Sequence, residues 1–307
     1  ADALAKGISK TGIKVHSINC EFTSPNELIK QIQQSDGYLI GSPTLGGHAP
    51  TPIVSALGTL LSEGDRTKPS GIFGSYGWSG EALDLLESKL KDGGFTFGFE
   101  PIKVKFSPDA GMIKTIEETG TLFGRGLIQK QIRQQRKVNS GLNTSKSDPT
   151  VIALGRVIGS LCVLTAQKGE SETLTNGAMV ASWVSQASFS PPGISISVAK
   201  DRAVESLLHK GDCFAINILD QENHQPLLRQ FLKTFKPGED RFIGCNITYS
   251  PGNQPILPQA LAWLEGIVSQ RMECGDHWLI YAEIKHGKVM NPKGITAIHH
   301  RKTGANY

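Results

Sequence analysis

The pattern of apolar residues changes near Pro149, and this change constrains the fold of the 307-residue chain more than any single motif. Before it, short apolar runs alternate with amphipathic stretches, as in a doubly wound parallel α/β sheet. After it, strand patterns dominate, as in an all-β barrel. A polar segment, 138–150, separates the two regions and predicts a linker. We therefore expect one domain over 1–137 and a second over 151–307.

The first region has the strand–helix alternation of a doubly wound sheet. Strands are predicted at 13–18, 37–42, 71–75 and 101–106, and helices at 1–10, 26–34, 50–61, 79–91 and from about Met112 onwards. Two of these strands end in loops of small residues, SPTLGGHAP from Ser42 and SYGWSG from Ser75. In open parallel sheets, ligands lie beyond the carboxyl ends of the strands. The alternative is that these loops are the ordinary glycine-rich turns of any doubly wound fold.

The two loops suit a ligand with a flat ring. Small residues let backbone groups approach the polar edge of the ring, and Tyr76 or Trp78 could cover its face. The predicted ligand-binding residues of this region are Ser42, Pro43, Thr44, Ser75, Tyr76, Gly77 and Trp78.

The second region has strand patterns at 159–166, 194–198, 213–219, 266–272 and 278–284, and short helical patterns near 203–209 and 225–233. Its most informative stretch runs from Thr175 to Arg202. There a loop of small polar residues around Trp183 precedes the pair Pro191-Pro192, an alternating strand and two cations. Lys and Arg just past a strand end suit a phosphate. The alternative is a buried strand pair joined by a polar loop.

The order of these parts resembles the flavin reductase family, the FMN-binding split barrels that take hydride from a nicotinamide. The resemblance implies that FMN is lined by Asn176, Ala181, Ser182, Trp183, Ser185 and Gln186, with Lys200 and Arg202 at its phosphate. The turn Gly275-Asp276-His277 resembles the Gly-Asp-His turn of the same family, which implies that His277 lies near the nicotinamide or a dimer partner. A core aromatic role for Trp183 and a structural turn role for His277 remain the alternatives.

The first region resembles flavodoxin, and more closely the flavodoxin domain of flavodiiron proteins. One departure concerns the start, because a flavodoxin begins with a strand and a phosphate loop, and neither precedes the helix pattern at 1–10. Such a strand would be central and buried on both faces. We therefore expect the chain to be part of a longer protein, and this domain to bind FMN weakly or not at all in this form.

A flavodoxin-like domain followed by a flavin-reductase-like split barrel resembles the class C flavodiiron proteins of cyanobacteria. The resemblance implies FMN and NAD(P)H as cofactors, with ferredoxin as a further donor. It implies that electrons pass to the flavodoxin flavin and then, in the full-length protein, to an N-terminal diiron centre that reduces oxygen to water. The diiron domain is absent from this sequence. The alternative is a non-enzymatic FMN-binding electron-transfer or assembly subunit that acts only beside a partner chain.

Composition and residue spacing argue against several other classes of function. The net charge of +4 does not argue for nucleic acid, and the basic cluster 130–137 has no interleaved aromatics. No apolar run approaches the ~20 residues of a membrane span, and no signal segment opens the chain. The histidines have no metal-ligand spacing, and His299-His300 is interpreted as a tail pair. Five scattered cysteines predict buried thiols in a reducing cytoplasm.

The strand pattern at 278–284 also predicts association. Trp278, Leu279, Ile280 and Tyr281 are apolar at successive positions, so both faces of this strand would be apolar. Exposed apolar faces usually mark an interface. We therefore expect a homo-dimer through the second domain, or a hetero-oligomer with a related chain.

Overall fold

The computed structural model describes residues 1–138, 148–169 and 174–304, and for 131–138 it describes the backbone. The chain divides into two compact units, Ala1–Val138 and Asn139–Tyr307. Most of the predicted linker, residues 139–147, lies outside the described residues.

The first unit is a parallel sheet with helices between its strands, as the sequence predicts. Strand β2 (Pro69–Tyr76) pairs in parallel with β1 (Tyr38–Pro43), β3 (Thr96–Phe97) and β4 (Ile102–Lys105). Where the sequence supplies a cap, a helix begins as expected: the Ser24 hydroxyl accepts a hydrogen bond from the backbone N–H of Glu27, and Pro25 opens the first turn. The elements are α1 Asp2–Ser9, α2 Pro25–Gln34, β1 Tyr38–Pro43, α3 Thr51–Glu63, β2 Pro69–Tyr76, α4 Glu81–Asp92, β3 Thr96–Phe97, β4 Ile102–Lys105 and α5 Ala110–Val138.

The predicted strand at 13–18 is wrong, because this segment has no strand structure. Its apolar residues Ile13 and Val15 do pack on the core around Ile8. A strand also needs a neighbour for its backbone groups, and none pairs with this segment in the described chain. A cavity of about 600 Å³ is lined by this segment and by the Tyr38–Gly41 part of β1.

The second unit is built mainly from antiparallel strands. Its elements are α6 Pro149–Leu154, β5 Gly159–Ser160, β6 Cys162–Lys168, β7 Thr175–Ala181, β8 Val184–Phe189, β9 Pro192–Ala199, a 3-10 helix Ala203–Leu207, β10 Cys213–Ile218, α7 Gln225–Leu232, β11 Thr248–Tyr249, β12 Pro255–Ile256, β13 Ala262–Cys274, β14 His277–Val289 and β15 Ile298–His299. In the described part of the unit, seven of these strands form one sheet in the order β7-β6-β10-β13-β14-β9-β8.

Two predictions for this unit need correction. The loop of small polar residues around Trp183 is short, because most of it forms β7 and β8. The predicted strand 159–166 is interrupted at Leu161, so β5 pairs with β15 and β6 joins the large sheet. The other strand predictions for this unit match observed strands within a few residues.

One core fills the space that the large sheet surrounds. Met179 of β7, Ile196 of β9 and Ile280 of β14 belong to the same buried cluster, although β7 and β9 lie far apart in the strand order. The sheet therefore curls around its core. A second cluster lies on other surfaces of this unit, where Leu227 and Phe231 of α7 pack with buried strand residues.

The prediction of uniformly buried thiols is only partly correct. Cys162 is buried, and burial raises its pKa to about 12. Cys213 is half-buried with a pKa raised to about 11, chiefly by burial. Cys274, however, is exposed because it lies at the end of the β13–β14 hairpin. Among the described helices, none has both the length and the apolar character needed to cross a membrane.

Candidate flavin site

The connection between β7 and β8 places Ser182 and Trp183 at the edge of the second unit's core. Ser182 is 2% exposed, directly after the fully buried Ala181. The carbonyl oxygen of Trp183 accepts a hydrogen bond from the backbone N–H of Ser197 in β9, at 3.0 Å. The main chain is thus fixed before Trp183 by the pairing of β7 and at Trp183 by this hydrogen bond.

Two side chains from distant parts of the sequence contact the Trp183 ring. The ring of His277 lies 5.0 Å away between centroids, tilted by 38°. The guanidinium carbon of Arg301 lies 4.9 Å from the ring centroid. The Trp183 indole, the His277 imidazole and the Arg301 guanidinium therefore form one cluster.

His277 is oriented by its neighbour in the hairpin turn. Its Nδ1 lies 2.8 Å from Oδ1 of Asp276, and this hydrogen bond is the main reason that the pKa of Asp276 is lowered. The carbonyl oxygen of Asp276 in turn accepts a hydrogen bond from the backbone N–H of Lys200, at 2.9 Å. The turn thus connects His277 to the end of β9.

Three buried polar atoms in this part of the second unit have no hydrogen-bond partner among the described residues: Ser182 Oγ next to Trp183, His277 Nε2 on the ring that contacts it, and His299 Nε2 on β15. An unsatisfied buried polar atom costs about 1–3 kcal/mol, so such atoms are uncommon unless a ligand completes them. Polar atoms beside an aromatic side chain fit a ligand with a flat ring and hydrogen-bonding edges. The residues present therefore fit a flavin.

Lys200 and Arg202, the two cations predicted to bind a phosphate, follow β9 as expected. The Lys200 ammonium forms an ion pair with Glu273 and lies 5.3 Å from the centre of the Trp278 ring. Arg202 is exposed at the start of the 3-10 helix. The charge of Lys200 is thus already matched in part by a carboxylate.

The other predicted residues of this site are distributed along β7 and β8. Asn176 lies near the far end of β7 from Ser182, and its amide donates a hydrogen bond to Asp240 at 2.7 Å. Six strand residues span about 20 Å, so the structure does not bring Asn176 to Trp183. The side chain of Ala181 belongs to the buried core, and Ala181 pairs with Cys162 of β6. Ser185 and Gln186 are exposed on β8.

The predicted loops of the first unit meet at the carboxyl ends of β1 and β2. The backbone N–H of Thr44 donates to the carbonyl oxygen of Ser75 at 2.8 Å, and the Thr44 hydroxyl oxygen is buried without a partner among the described residues. Ser42 is buried, Pro43 is exposed, and the next turn has Gly46 and Gly47 at positive φ. This edge of the sheet is therefore a second candidate ligand site.

Aromatic side chains border this second site. Tyr76 is half-buried, and its carbonyl oxygen accepts a hydrogen bond from the backbone N–H of Phe106 at 2.8 Å. A Cβ on Gly77 would lie 3.4 Å from the Phe106 ring. Trp78 is 94% exposed, so its indole has almost no protein contact.

Sequence reasoning missed Phe106, His299 and Arg301. Phe106 follows strand β4 at the same sheet edge as Ser42 and Ser75. Its position directly after a predicted strand could have indicated it, because ligands lie beyond the carboxyl ends of parallel strands. Arg301 reaches Trp183, and His299 lies opposite Gly159, only through the pairing of β15 with β5, which no local pattern indicates. In the described residues, no group of His, Cys, Asp and Glu side chains could hold a metal ion.

Comparisons with known proteins give the family to which the second unit is similar. Residues 154–305 match the family described as flavin reductase like domain, so this part of the chain belongs to that family. The whole chain is 50% identical over 307 residues to diflavin flavoprotein A 6 of Nostoc, covering 100% of the chain and 52% of that protein. It is 41% identical to diflavin flavoprotein A 1 of Synechocystis, covering 51% of that protein.

These relatives confirm the resemblance to diflavin flavodiiron proteins inferred from the sequence. The chain spans about half the length of the curated relatives it matches. Among solved structures, it is similar to a metal-soaked Flv1 flavodiiron core from Synechocystis, with 50% identity and a TM-score of 0.41. That match covers 42% of this chain and 32% of the other.

Proposed function

We propose that the second unit is an NAD(P)H-dependent flavin oxidoreductase that binds FMN at Ser182, Trp183 and His277. The observation that carries this proposal is the pair of buried polar atoms, Ser182 Oγ and His277 Nε2, beside an aromatic ring. A site that serves only packing gains nothing from leaving such atoms unsatisfied. Membership of residues 154–305 in the flavin reductase like family supports the same reading.

The protein's task in such a reaction is binding and orientation. Bound FMN supplies the ring that accepts hydride from the nicotinamide. Trp183 would pack against FMN, and the Ser182 hydroxyl would donate a hydrogen bond to its polar edge. His277, held by Asp276 through Nδ1, would offer its buried Nε2 to the flavin or to the nicotinamide. Arg202, with Lys200, would hold the phosphate of FMN.

For the first unit we propose a flavodoxin-like domain with a weak FMN site or none in this form. The parallel order around β2 and the meeting of loops at Thr44 and Ser75 support this fold. In a flavodoxin-like arrangement, the cavity lined by Tyr38–Gly41 of β1 would be filled by a further strand. FMN bound in this unit would accept electrons from the second unit; without it, the electrons would pass to an external acceptor.

The wider role is proposed from the relatives, whose length is about twice that of this chain. In a full-length flavodiiron protein, electrons from NAD(P)H or ferredoxin would pass through both flavins to a diiron centre that reduces oxygen to water. The cytoplasm is the proposed location.

The test is the visible spectrum of the purified protein with added FMN, before and after anaerobic NADPH. An oxidoreductase bleaches the flavin bands, and about one FMN binds per chain. Flavin bands that persist would favour the electron carrier, and a stoichiometry near two would contradict the weak site in the first unit. NADH in place of NADPH distinguishes the two donors.

A further inference from the structure

The C-terminal strand β15 forms one side of the Trp183 site. It pairs antiparallel with β5, with His299 opposite Gly159. Strand β5 lies directly against the β7–β8 connection, because a Cβ on Gly159 would be 1.6 Å from the carbonyl oxygen of Ser182. Glycine is the residue that permits this approach. β15 is therefore held in place relative to Ser182 and Trp183.

Arg301 is held at the Trp183 ring from both directions along the chain. On one side, β15 is fixed by its pairing with β5. On the other, the backbone N–H of Gly304 donates to the carbonyl oxygen of Val151 in α6 at 2.6 Å. The guanidinium also donates a long hydrogen bond, 3.4 Å, to the carbonyl oxygen of Leu154. A cation is thus fixed beside the aromatic ring of the candidate flavin site.

The neighbouring side chain does not add a second charge. His299 precedes Arg301 by two residues, and its pKa is lowered by burial first and then by the charges of Arg301 and His300. His299 is therefore neutral at pH 7, with its buried Nε2 unpartnered among the described residues. The strand thus presents a neutral imidazole and one fixed cation to the site.

We propose that Arg301 binds the flavin and favours its reduced form, an inference that rests on the function proposed above. Hydride transfer brings two electrons and one proton: FMN and NAD(P)H give FMNH⁻ and NAD(P)⁺. The reduced ring therefore carries one more negative charge than the oxidised ring. A half-buried guanidinium interacts favourably with that charge, and much less with the neutral ring.

The experiment compares the midpoint potential of bound FMN in the unchanged chain and in Arg301→Met, which keeps an unbranched side chain to pack on Trp183. We expect the preference for reduced over oxidised FMN to fall about tenfold, which lowers the two-electron midpoint potential by about 30 mV. Arg301→Lys, which keeps the charge, should recover most of this difference. Lys302→Gln is the matched control, since Lys302 is an exposed cation next in sequence.

The outcomes separate this inference from the function on which it rests. If the unchanged chain binds no FMN in a fluorescence titration, the proposed function itself fails. If FMN binds and Arg301→Met leaves the potential unchanged, the role of Arg301 alone is overturned. A weaker affinity for NADP⁺ at unchanged potential would assign Arg301 to the nucleotide instead. If Arg301→Met lowers the thermal midpoint of the FMN-free protein, Arg301→Gln and Arg301→Lys are compared in its place.

Discussion

At the scale of single residues, the Ser182 hydroxyl distinguishes a ligand site from a packed core. Its oxygen is buried and has no partner among the described residues. We expect Ser182→Ala to raise the free energy of unfolding of the FMN-free second unit by about 1 kcal/mol, because an unsatisfied polar group is removed. The same change should weaken FMN affinity. Denaturant unfolding and a flavin fluorescence titration measure the two effects.

A buried hydroxyl with a partner supplies the control for this substitution. The Thr165 hydroxyl donates to the carbonyl oxygen of Pro255 at 2.6 Å, within the same unit. Thr165→Val should therefore destabilise the unit by about 1 kcal/mol and leave FMN affinity unchanged. Loss of stability in both variants would mean that Ser182 has a structural role only.

His299 gives the second prediction for a single residue, a dependence of stability on pH. Its folded-state pKa lies below the ordinary value of 6.5, chiefly because of burial. The unfolded chain therefore takes up the proton first on acidification. The stability that neutral His299 contributes is fully present above pH 6.5 and is lost as the pH falls through its folded pKa.

Replacement of His299 by Asn, which does not titrate, should reduce this loss. We expect the thermal midpoint of His299→Asn to fall less between pH 7.5 and pH 5.5 than that of the unchanged chain. The exposed neighbour His300 provides the control variant His300→Asn, whose loss should be much closer to that of the unchanged chain, because the charge of His300 is the smallest of the three causes that lower the pKa of His299. Equal pH dependence of the thermal midpoint in all three proteins would contradict the assignment of this loss of stability to His299.

At the scale of elements, the segment 13–18 offers a test by hydrogen exchange. Its alternation of apolar and polar residues fits a strand, yet the segment has no strand neighbour in the described chain. We expect its amides to exchange faster than those of β2, which is paired on both edges. Equal protection in the two segments, measured by mass spectrometry, would show that 13–18 does pair.

Sequence reasoning succeeded where the pattern of a segment decides its structure, and failed where pairing decides it. The alternation of Ile194, Ile196 and Val198 predicts β9, and all three residues are buried in the core. The strands β7 and β8 were missed because small polar residues give little alternation, and their neighbours β6 and β9 determine them. The same limit applies to Arg301, which reaches Trp183 through a non-local strand pair.

At the scale of the whole molecule, the expected dimer needs a different surface from the one the sequence indicated. Ile280 is buried in the core, and Trp278 lies under the Arg271 guanidinium at 4.4 Å. Those residues are therefore already covered within the second unit. Strand β8 is the better candidate, because it ends the order of the seven-stranded sheet and is largely exposed.

A free strand edge with an exposed aromatic residue favours pairing with a second copy. Phe189 ends β8 and is 88% exposed, so its burial in a two-fold interface removes a large apolar surface from water. We expect light scattering at micromolar concentration to give about twice the 33.1 kDa chain mass. Phe189→Glu should give the single-chain mass. Phe22→Glu is the control, since Phe22 is 80% exposed in the first unit and its variant should remain a dimer. If the unchanged chain has the single-chain mass, the interface on β8 does not exist.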